Sequence, residues 1–271
     1  MSETKGTALI TGASSGIGAI YADRLARQGY DLILVARSAD KLDKVATEIK
    51  QRTGRKVETV PADLANAGHL LAIEALLAND PSITLLVNNA GVGSTAPLLE
   101  ADVNTMSAMI WLNVDALMRL SYAAVPAFVA RGRGTIVNIA SVVAVAPELL
   151  NGVYGGTKAF VLAFSQSLHR ELAGTGVHVQ VVLPGATATD FWDVAGTPVD
   201  HLPAEIVMPA DELVDAALVG LERGEFVTIP GLHDLARWDA FEADRQALSG
   251  ILSTSTPATR YRAAPQFEIQ S

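Results

Sequence analysis

The sequence predicts an α/β protein: a doubly wound sheet of seven parallel strands with helices on both faces. Short β-rich runs alternate with longer segments of helical period, which is the pattern of βαβ units. Most of the short runs are almost continuously apolar, as expected for strands that helices cover on both faces. The chain has no internal repeat or linker before residue 230, so we expect a single domain with a C-terminal helical tail.

The elements follow in order along the chain. The apolar runs predict strands at residues 7–11, 31–36, 57–60, 83–88, 135–139, 177–183 and 226–229. The helical periods predict helices near 17–28, 41–51, 67–78, 99–131, 153–173 and 211–223. Residues 187–209 carry three prolines and are expected to form an irregular lid. Residues 1–230 are assigned to the main domain, and 231–271, with a helix near 232–248, to a tail within the same domain.

The composition excludes several classes of function. The net charge of −9 over 271 residues gives no support for binding nucleic acid or an anionic membrane. No apolar run reaches the roughly 18 residues of a membrane span, and the N-terminus lacks the apolar stretch of a signal peptide. The absence of cysteine excludes disulfides and thiol nucleophiles, and the five histidines lack metal-ligand spacing. We expect a cytoplasmic protein without a metal.

Tyr154 and Lys158 form a candidate proton-transfer pair. They are four residues apart, so on a helix both side chains share one face. A free phenol has a pKa of about 10, too high for acid–base work near neutrality. An ammonium about 4 Å away contributes roughly 4 kcal/mol at an effective dielectric near 20, or about three pKa units. We therefore expect Lys158 to lower the pKa of Tyr154, and Ser141 to hold a substrate oxygen beside the phenol.

The alternative is that this Tyr-x-x-x-Lys spacing arose by chance on a solvated helix face. Lys158 is, however, the only lysine after Lys56, and the other positive charges in that stretch are arginines. A compact ammonium kept at this one position favours a functional role.

A glycine-rich turn, Thr-Gly-Ala-Ser-Ser-Gly-Ile-Gly at residues 11–18, joins the first strand to the first helix. Gly12 permits the sharp exit from the strand, Gly16 lets backbone amides approach a phosphate, and Gly18 lets the helix pack close to the sheet. The pyrophosphate of a dinucleotide would then lie at the positive N-terminus of the helix. Because the turn lies between a predicted strand and a predicted helix, it predicts a dinucleotide site.

The end of the second strand indicates which dinucleotide binds. A carboxylate there would bind a ribose 2′-hydroxyl, but this chain has Arg37 followed by Ser38. Arg37 offers charged donors to a 2′-phosphate, each bond contributing roughly 1.5–3 kcal/mol. NADP(H) is therefore favoured over NAD, the alternative being a solvated arginine at a strand end.

Taken together, these motifs resemble the short-chain dehydrogenase/reductase family, of the NADP-preferring type, over roughly residues 5–230. The motifs are the turn at 11–18, Asn-Asn-Ala-Gly at 88–91, Asn113, Ser141, Tyr154 with Lys158, and Pro-Gly at 184–185. The resemblance implies a Rossmann-type fold in which residues 1–230 bind the dinucleotide and catalyse the reaction.

The resemblance also implies the roles of the residues. Tyr154 would be the catalytic acid/base, Lys158 would hold the nicotinamide ribose, and Ser141 would bind the substrate oxygen. Asn113 would hold a water that links Lys158 to solvent. Asp63 and Leu64 would contact the adenine, Asn89 to Gly91 would line the adenosine side, and Thr187 and Thr189 would fix the carboxamide. The implied cofactor contacts are Gly12, Ser14, Ser15, Gly16, Ile17, Gly18, Arg37, Ser38, Asp63, Leu64, Asn89, Ala90, Gly91, Tyr154, Lys158, Pro184, Gly185, Thr187 and Thr189.

Several of these residues have a structural alternative. Asp63 would cap the following helix, and Asn113 would be a solvent-facing polar residue, although helix interiors disfavour asparagine. Ser15 stands where many NADP-dependent relatives carry a basic residue, so the cofactor prediction depends on Arg37 and Ser38. Gly155 and Gly156 stand where alanine or serine is commoner, which loosens the start of that helix.

The predicted function is an NADP(H)-dependent oxidoreductase that transfers a hydride between nicotinamide and a carbonyl or secondary alcohol by a Ser-Tyr-Lys mechanism. A non-catalytic NADP-binding sensor on the same fold is the alternative, and a non-redox lyase or dehalogenase is a third possibility. The expected partner is a small-molecule carbonyl or alcohol, with no nucleic acid or membrane, in a homodimer or homotetramer.

Overall fold

The computed structural model describes residues 4–262. Its strands are β1 (Thr7–Thr11), β2 (Asp31–Ala36), β3 (Val57–Pro61), β4 (Ile83–Asn88), β5 (Gly134–Ile139), β6 (Val177–Val182), β7 (Thr187–Ala188), β8 (Met208–Pro209) and β9 (Val227–Thr228). All but β7 and β8 form one parallel sheet in the order β3-β2-β1-β4-β5-β6-β9. The predicted seven-stranded parallel sheet is confirmed.

The strand order reverses between β1 and β4. The chain runs outward from β1 through β2 to β3, and then crosses back to place β4 on the other side of β1. The connections after β1 and β4 therefore leave the sheet in opposite directions, and a crevice opens at the carboxyl ends of these two strands. Ligands of open α/β sheets bind in such a crevice.

The helices lie close to their predicted positions. They are α1 (Gly16–Arg27), α2 (Ala39–Thr53), α3 (Ala67–Asn79), α4 (Val103–Ile110), α5 (Leu117–Ala130), α6 (Gly152–Glu171), α7 (Phe191–Ala195), α8 (Ala210–Glu222) and α9 (Leu235–Ser249). One prediction was wrong: the single helix over 99–131 begins later and is divided. It begins at Val103 because the side chain of Asp102 accepts a hydrogen bond from the amide of Thr105 at 2.8 Å. A π-helical turn, Trp111–Ala116, then separates α4 from α5.

Helices cover both faces of the sheet and bury most of its central strands. Ile10 and Leu34 pack into one apolar cluster with side chains of α1, α2 and α8, whereas Leu9 and Ile33 pack into a second cluster with α3, α5 and α6. Successive strand residues point to opposite faces, so a strand buried on both faces is expected to be almost continuously apolar. This is why the predicted strands were continuous apolar runs.

The predicted lid over 187–209 has more regular structure than expected. β7 pairs with β8 in a two-stranded ribbon, and α7 lies between them. Thr95, in the loop after β4, holds the end of α7, because its amide and its hydroxyl both donate to the carbonyl of Ala195, at 2.9 and 3.0 Å. The lid is thus attached to the loop that follows β4.

The chain divides into two compact units, Met1–Gly231 and Leu232–Ser271. The second unit contains α9, whose first turn is capped by Asp234, and none of the residues of α9 is buried. That the tail belongs to the same domain as residues 1–230 stays a prediction, and its last nine residues, 263–271, lie outside the described part. Within residues 4–262, none of the helices combines the length and apolar composition needed to cross a bilayer.

Candidate active site

A cavity of about 750 Å³ lies at the carboxyl ends of the sheet strands. Its walls come from the loops after β1, β2, β3, β4, β5 and β6 and from the lid. Of the residues predicted from the sequence to form the site, only Gly18 and Asn113 do not line it. The sheet therefore brings together in one cavity motifs that are far apart in the sequence.

The turn after β1 requires glycine at three positions. Gly12 and Gly16 have φ values of +66° and +53°, in the left-handed region that favours glycine. A Cβ on Gly18 would collide with the carbonyl oxygen of Gly12, because α1 packs directly against the turn. A side chain at Gly12 or Gly16 would strain the backbone of the turn, and one at Gly18 would push α1 away from it.

The N-terminus of α1 is free to bind an anion. Ser15 occupies the N-cap position, but its side chain makes no capping hydrogen bond, and the first turn of α1 contains no acidic residue. The first amides of the helix therefore have no side-chain partner and face the cavity beside Gly16. An uncapped helix N-terminus behind a glycine turn fits the pyrophosphate of a dinucleotide.

Thr11 and Asn89 connect the turn to the end of β4. The Thr11 hydroxyl accepts hydrogen bonds from the amides of Asn89 and Ala90, both at 3.0 Å, and donates to the carbonyl of Val87. The side-chain amide of Asn89 donates to the carbonyls of Thr11 and Gly12, at 2.9 and 3.2 Å. Asn89 thus fixes the backbone conformation of the turn through its hydrogen bonds to these two carbonyls. Thr11 was not predicted as a site residue, although its place directly before the first glycine indicates this role.

Two positive side chains lie at the adenosine end of the cavity. Arg37 is exposed there and has no acidic partner among residues 4–262. Ser38 caps α2 by accepting from the amide of Lys41 at 3.4 Å, which brings Lys41 to the same wall. Lys41 was not predicted, although a lysine one turn after an N-cap serine would be expected on that side of the helix. The pair fits a phosphate on the adenosine ribose.

Asp63 lies on the same wall and does not cap α3. Its side chain accepts from the amide of Ala65 at 3.0 Å and closes a local turn, whereas Asn66 is the N-cap of α3. The capping alternative for Asp63 is therefore wrong. Leu64 beside it is 5% exposed, so it gives this wall an apolar surface.

Tyr154 lies at the other end of the cavity, in the first turn of α6. Asn151 positions that turn: its side-chain oxygen accepts from the amides of Val153 and Tyr154, and its amide donates to the carbonyl of Ala96 at 2.6 Å. Burial raises the pKa of Tyr154 to about 12, although a hydrogen bond with Ser141 acts in the opposite direction. The expectation that Lys158 lowers this pKa is not met, because burial has the largest effect on it.

Lys158 is buried and its ammonium is directed at the sheet. Nζ donates to the carbonyl of Ile139 at 2.9 Å and lies 5.8 Å from the centroid of the Tyr154 ring. Burial lowers the pKa of Lys158 to about 8. Burial thus favours the neutral form of both groups, which raises the pKa of the phenol and lowers that of the ammonium.

The depressed pKa of Lys158 predicts how stability depends on pH. Below pH 8 the folded protein carries the full cost of a buried ammonium, and that cost is relieved as the pH rises from about 8 toward the ordinary lysine pKa of 10.5. Lys158→Met removes the titration. The free energy of unfolding of the wild type should therefore rise by about 2–3 kcal/mol relative to Lys158→Met between pH 7 and 10.

Urea unfolding at pH 7, 8, 9 and 10 measures this difference. Lys56→Met, at an exposed lysine, is the matched control and should follow the wild type at every pH. A constant difference between wild type and Lys158→Met over this range would contradict the buried ammonium.

Asn113 is held by hydrogen bonds beside the catalytic end of the cavity, which is the end that contains Ser141, Tyr154 and Lys158. It lies in the π-helical turn, where its side-chain oxygen accepts from the amide of Val92 at 3.0 Å. Its amide group donates to the carbonyl of Val92 and to the hydroxyl of Thr157, at 2.8 and 3.1 Å. With 2% exposure it is not the solvent-facing residue of the alternative interpretation. A Cβ on Gly91 would lie 3.1 Å from Asn113 Oδ1 and 3.7 Å from Lys158 Nζ, which places Gly91 at the catalytic end.

The glycines after Tyr154 have different surroundings. A Cβ on Gly155 would lie 2.9 Å from Cβ of Pro147, in the turn that leads to the cavity wall, whereas one on Gly156 would meet nothing within 4 Å. Gly156→Ala should therefore stabilise the helix by about 0.5–1 kcal/mol. Gly155→Ala should cost about 1–3 kcal/mol through overpacking. Thermal unfolding of both variants tests the contrast, and equal shifts would contradict it.

The loop after β6 completes the catalytic end. The Ser141 hydroxyl donates to the carbonyl of Pro184 at 3.3 Å, and the Thr187 hydroxyl donates to the carbonyl of Gly185 at 3.1 Å. The side chain of Thr189 lies 3.3 Å from the position of a Cβ on Gly16, so Thr189 faces the glycine turn. His201, in the lid, is exposed and does not line the cavity. Among residues 4–262 no group of three acidic or histidine side chains is arranged to hold a metal.

A Rossmann-type sheet, a glycine turn at its switch point and a Ser-Tyr-Lys set at the far end of the same cavity define a dinucleotide-dependent dehydrogenase site. The family model for short chain dehydrogenases matches residues 6–198. The chain belongs to the short-chain dehydrogenase family.

Solved structures agree with this family over nearly the whole chain. A short-chain dehydrogenase from Sphingobium yanoikuyae, in complex with NADPH, is 49% identical, with a TM-score of 0.92 over 95% of this chain and all of the other. The bulky-bulky ketone specific alcohol dehydrogenase from Comamonas testosteroni is 42% identical, with a TM-score of 0.88 over 96% of this chain and 99% of the other. These relatives confirm that the protein is a short-chain dehydrogenase/reductase and that its cofactor is NADP(H).

Curated relatives are more distant and longer. The very-long-chain 3-oxoacyl-CoA reductase of Bos taurus is 38% identical over 186 residues, which is 67% of this chain. The match spans 59% of that relative.

Proposed function

We propose that this protein is an NADP(H)-dependent oxidoreductase that interconverts a carbonyl compound and the corresponding secondary alcohol. One observation carries the proposal: a single cavity joins a phosphate-binding turn at one end to Ser141, Tyr154 and Lys158 at the other. Arg37 and Lys41 support NADP(H) over NAD, because two cations at the adenosine end favour a ribose that carries a phosphate.

The protein's own groups would handle the proton and the charge on the substrate oxygen. In the reductive direction, the Tyr154 hydroxyl donates its proton to the carbonyl oxygen while the Ser141 hydroxyl donates a hydrogen bond to it. The raised pKa of Tyr154 keeps that proton in place at neutral pH. When bound, NADPH supplies the hydride that the carbonyl carbon accepts. Lys158 would hold the nicotinamide ribose, and Asn113 would hold the water that links Lys158 to solvent.

The substrate end of the cavity fits an apolar carbonyl compound with large substituents. Its walls are mainly apolar side chains from the turn after β5 and from the lid. These side chains are Val143, Leu149, Leu150, Phe191, Trp192, Val194, Leu202 and Ile206. The relatives named for bulky ketones and for very-long-chain oxoacyl substrates support this class. We infer that ketones with two apolar substituents are reduced.

Oxidation of NADPH in the presence of a panel of ketones and aldehydes tests the proposal. We expect turnover with aryl and branched alkyl ketones, a matching amount of alcohol, and weaker turnover with NADH. Binding of NADPH without turnover on the whole panel would contradict catalysis and favour the sensor.

We further propose that the protein forms a homodimer or homotetramer through α5 and α6. Tyr122 on α5 is 70% exposed and stacks on Phe164 of α6, with ring centroids 6.3 Å apart. Phe160, which is partly buried like Phe164, stacks on Phe164 in turn at 5.7 Å, so the exposed Tyr122 continues a row of aromatic rings to the surface. Exposed apolar surface is a common feature of interfaces. Light scattering should show an oligomer that Tyr122→Glu converts to monomer; a monomeric wild type would contradict the proposal.

Cytoplasmic residence, without a membrane or nucleic-acid partner, is also a proposal. It is supported by the complete absence of cysteine, since secreted proteins commonly rely on disulfides, and by the net charge of −9. Cell fractionation tests it, and recovery of the protein with membranes would contradict it.

A further inference from the structure

The phenyl ring of Phe191, at the start of α7, lies directly against Gly93 in the loop after β4. A Cβ on Gly93 would collide with Cζ of that ring and lie 3.0 Å from its Cε2. Gly93 has an ordinary negative φ, so its backbone conformation does not require glycine. The contact with Phe191 is therefore the structural reason for the missing side chain.

The same ring reaches the catalytic tyrosine. The centroids of Phe191 and Tyr154 are 5.7 Å apart, with an interplanar angle of 46°. Phe191 also packs against the buried cluster formed by Met106, Met109, Val143 and Tyr154. It thus bridges the loop after β4 and the phenol that would protonate the substrate.

α7 is held at both ends, so the ring has a defined position. At the start, Trp192 meets Phe191 edge-to-face at 5.7 Å, and its indole NH donates to the carbonyl of Thr187 at 3.0 Å. At the end, the carbonyl of Ala195 accepts from the amide and hydroxyl of Thr95, two residues after Gly93. The loop at 93–95 therefore holds α7 in its position.

We propose that the ring of Phe191 limits the size of the substrate substituent that fits beside Tyr154. The absence of a side chain at Gly93 determines the position of that ring. The proposal rests on the proposed ketone reductase function and deepens it. The ring forms the apolar wall next to the phenol, so the smaller substituent of a ketone must fit between this wall and the reacting carbonyl. Adding one methyl group at position 93 displaces the wall, and removing the ring eliminates it.

A double-mutant cycle tests this, with kcat/KM measured for a small ketone, 2-butanone, and a large one, benzophenone. Phe191→Ala should raise the ratio of large to small at least tenfold. Gly93→Ala should change the ratio at least fivefold in the wild-type background and less than twofold in the Phe191→Ala background, where no ring remains to be displaced. Gly152→Ala, whose Cβ would meet nothing within 4 Å, is the matched control and should leave the ratio unchanged.

Equal effects of Gly93→Ala in both backgrounds, or an unchanged ratio in Phe191→Ala, would overturn the inference. The same cycle can be measured without turnover, as the calorimetric Kd of each ketone for the NADPH complexes in a Tyr154→Phe background. Those Kd values should follow the same order. A wild type that reduces neither ketone, but whose Kd ratio follows the cycle, would remove the proposed function and leave the assignment of Phe191 intact.

Discussion

Tyr154→Phe is expected to lower kcat for ketone reduction by at least about 10³-fold, while the Kd for NADPH stays within about threefold. The substitution removes the hydroxyl that would protonate the substrate oxygen, and general acid catalysis of this kind contributes about 10²–10⁴-fold. Ring packing against Phe191 is retained, because only one oxygen is lost. Since burial keeps the phenol protonated at neutral pH, the loss should be seen at pH 7 in the reductive direction.

Steady-state kinetics and NADPH fluorescence titration measure these two quantities. Tyr30→Phe is the matched control, because it makes the same chemical change at the end of α1, outside the cavity. A Tyr154→Phe variant with the wild-type kcat on a true substrate would show that another group transfers the proton.

Arg37→Glu is expected to lower the ratio of kcat/KM for NADPH to that for NADH by about 10²–10³-fold. The substitution removes charged donors to the 2′-phosphate, at about 1.5–3 kcal/mol per hydrogen bond, and adds a carboxylate that repels it. The same carboxylate can accept from a free ribose hydroxyl, which improves binding of NADH. Lys41→Ala should act in the same direction by about tenfold, since Lys41 lies on the same wall.

Arg223→Glu is the control for the change in net charge. Arg223 is exposed at the C-terminal end of α8, which precedes β9 and so lies at the opposite edge of the sheet from the cavity. It should leave the NADPH/NADH ratio within twofold of the wild type. If Arg37→Glu does the same, the 2′-phosphate is bound elsewhere and the cofactor preference has another cause.

The sheet was predictable because the apolar run of each strand indicates that strand without information from the rest of the chain. A strand buried on both faces, such as Ile83–Asn88, is mostly apolar, and a glycine turn between strand and helix fixes where the cofactor crevice lies. The boundary at Val103 was missed because helical period alone does not show which polar residue acts as a cap. The π-helical turn at Trp111–Ala116 was missed because a helical period does not show which hydrogen-bond pattern a single turn adopts.

The site residues were predictable where a local motif imposes the geometry. They were less predictable where the tertiary structure brings residues from different elements together. Gly12, Gly16 and Gly18 follow from the turn itself, whereas Thr11 and Lys41 were missed although their sequence positions carry a signal, because their contacts depend on how the strand ends come together. The pKa of Tyr154 was predicted in the wrong direction because the helical spacing to Lys158 gives proximity but no information on burial. The carbonyl of Ile139, which binds the ammonium, belongs to β5 and not to the helix that carries Lys158.

Transfer of deuterium tests the central claim most directly. NADPH labelled with deuterium at nicotinamide C4 is supplied with a ketone of two apolar substituents, and the alcohol is analysed by mass spectrometry. We predict one deuterium on the carbinol carbon when the correct face of C4 is labelled, with the oxygen-bound hydrogen exchanged from water, and no such product from Tyr154→Phe on the same timescale. Alcohol without carbon-bound deuterium from either labelled face, or no alcohol from a protein that binds NADPH, would contradict hydride transfer in this cavity.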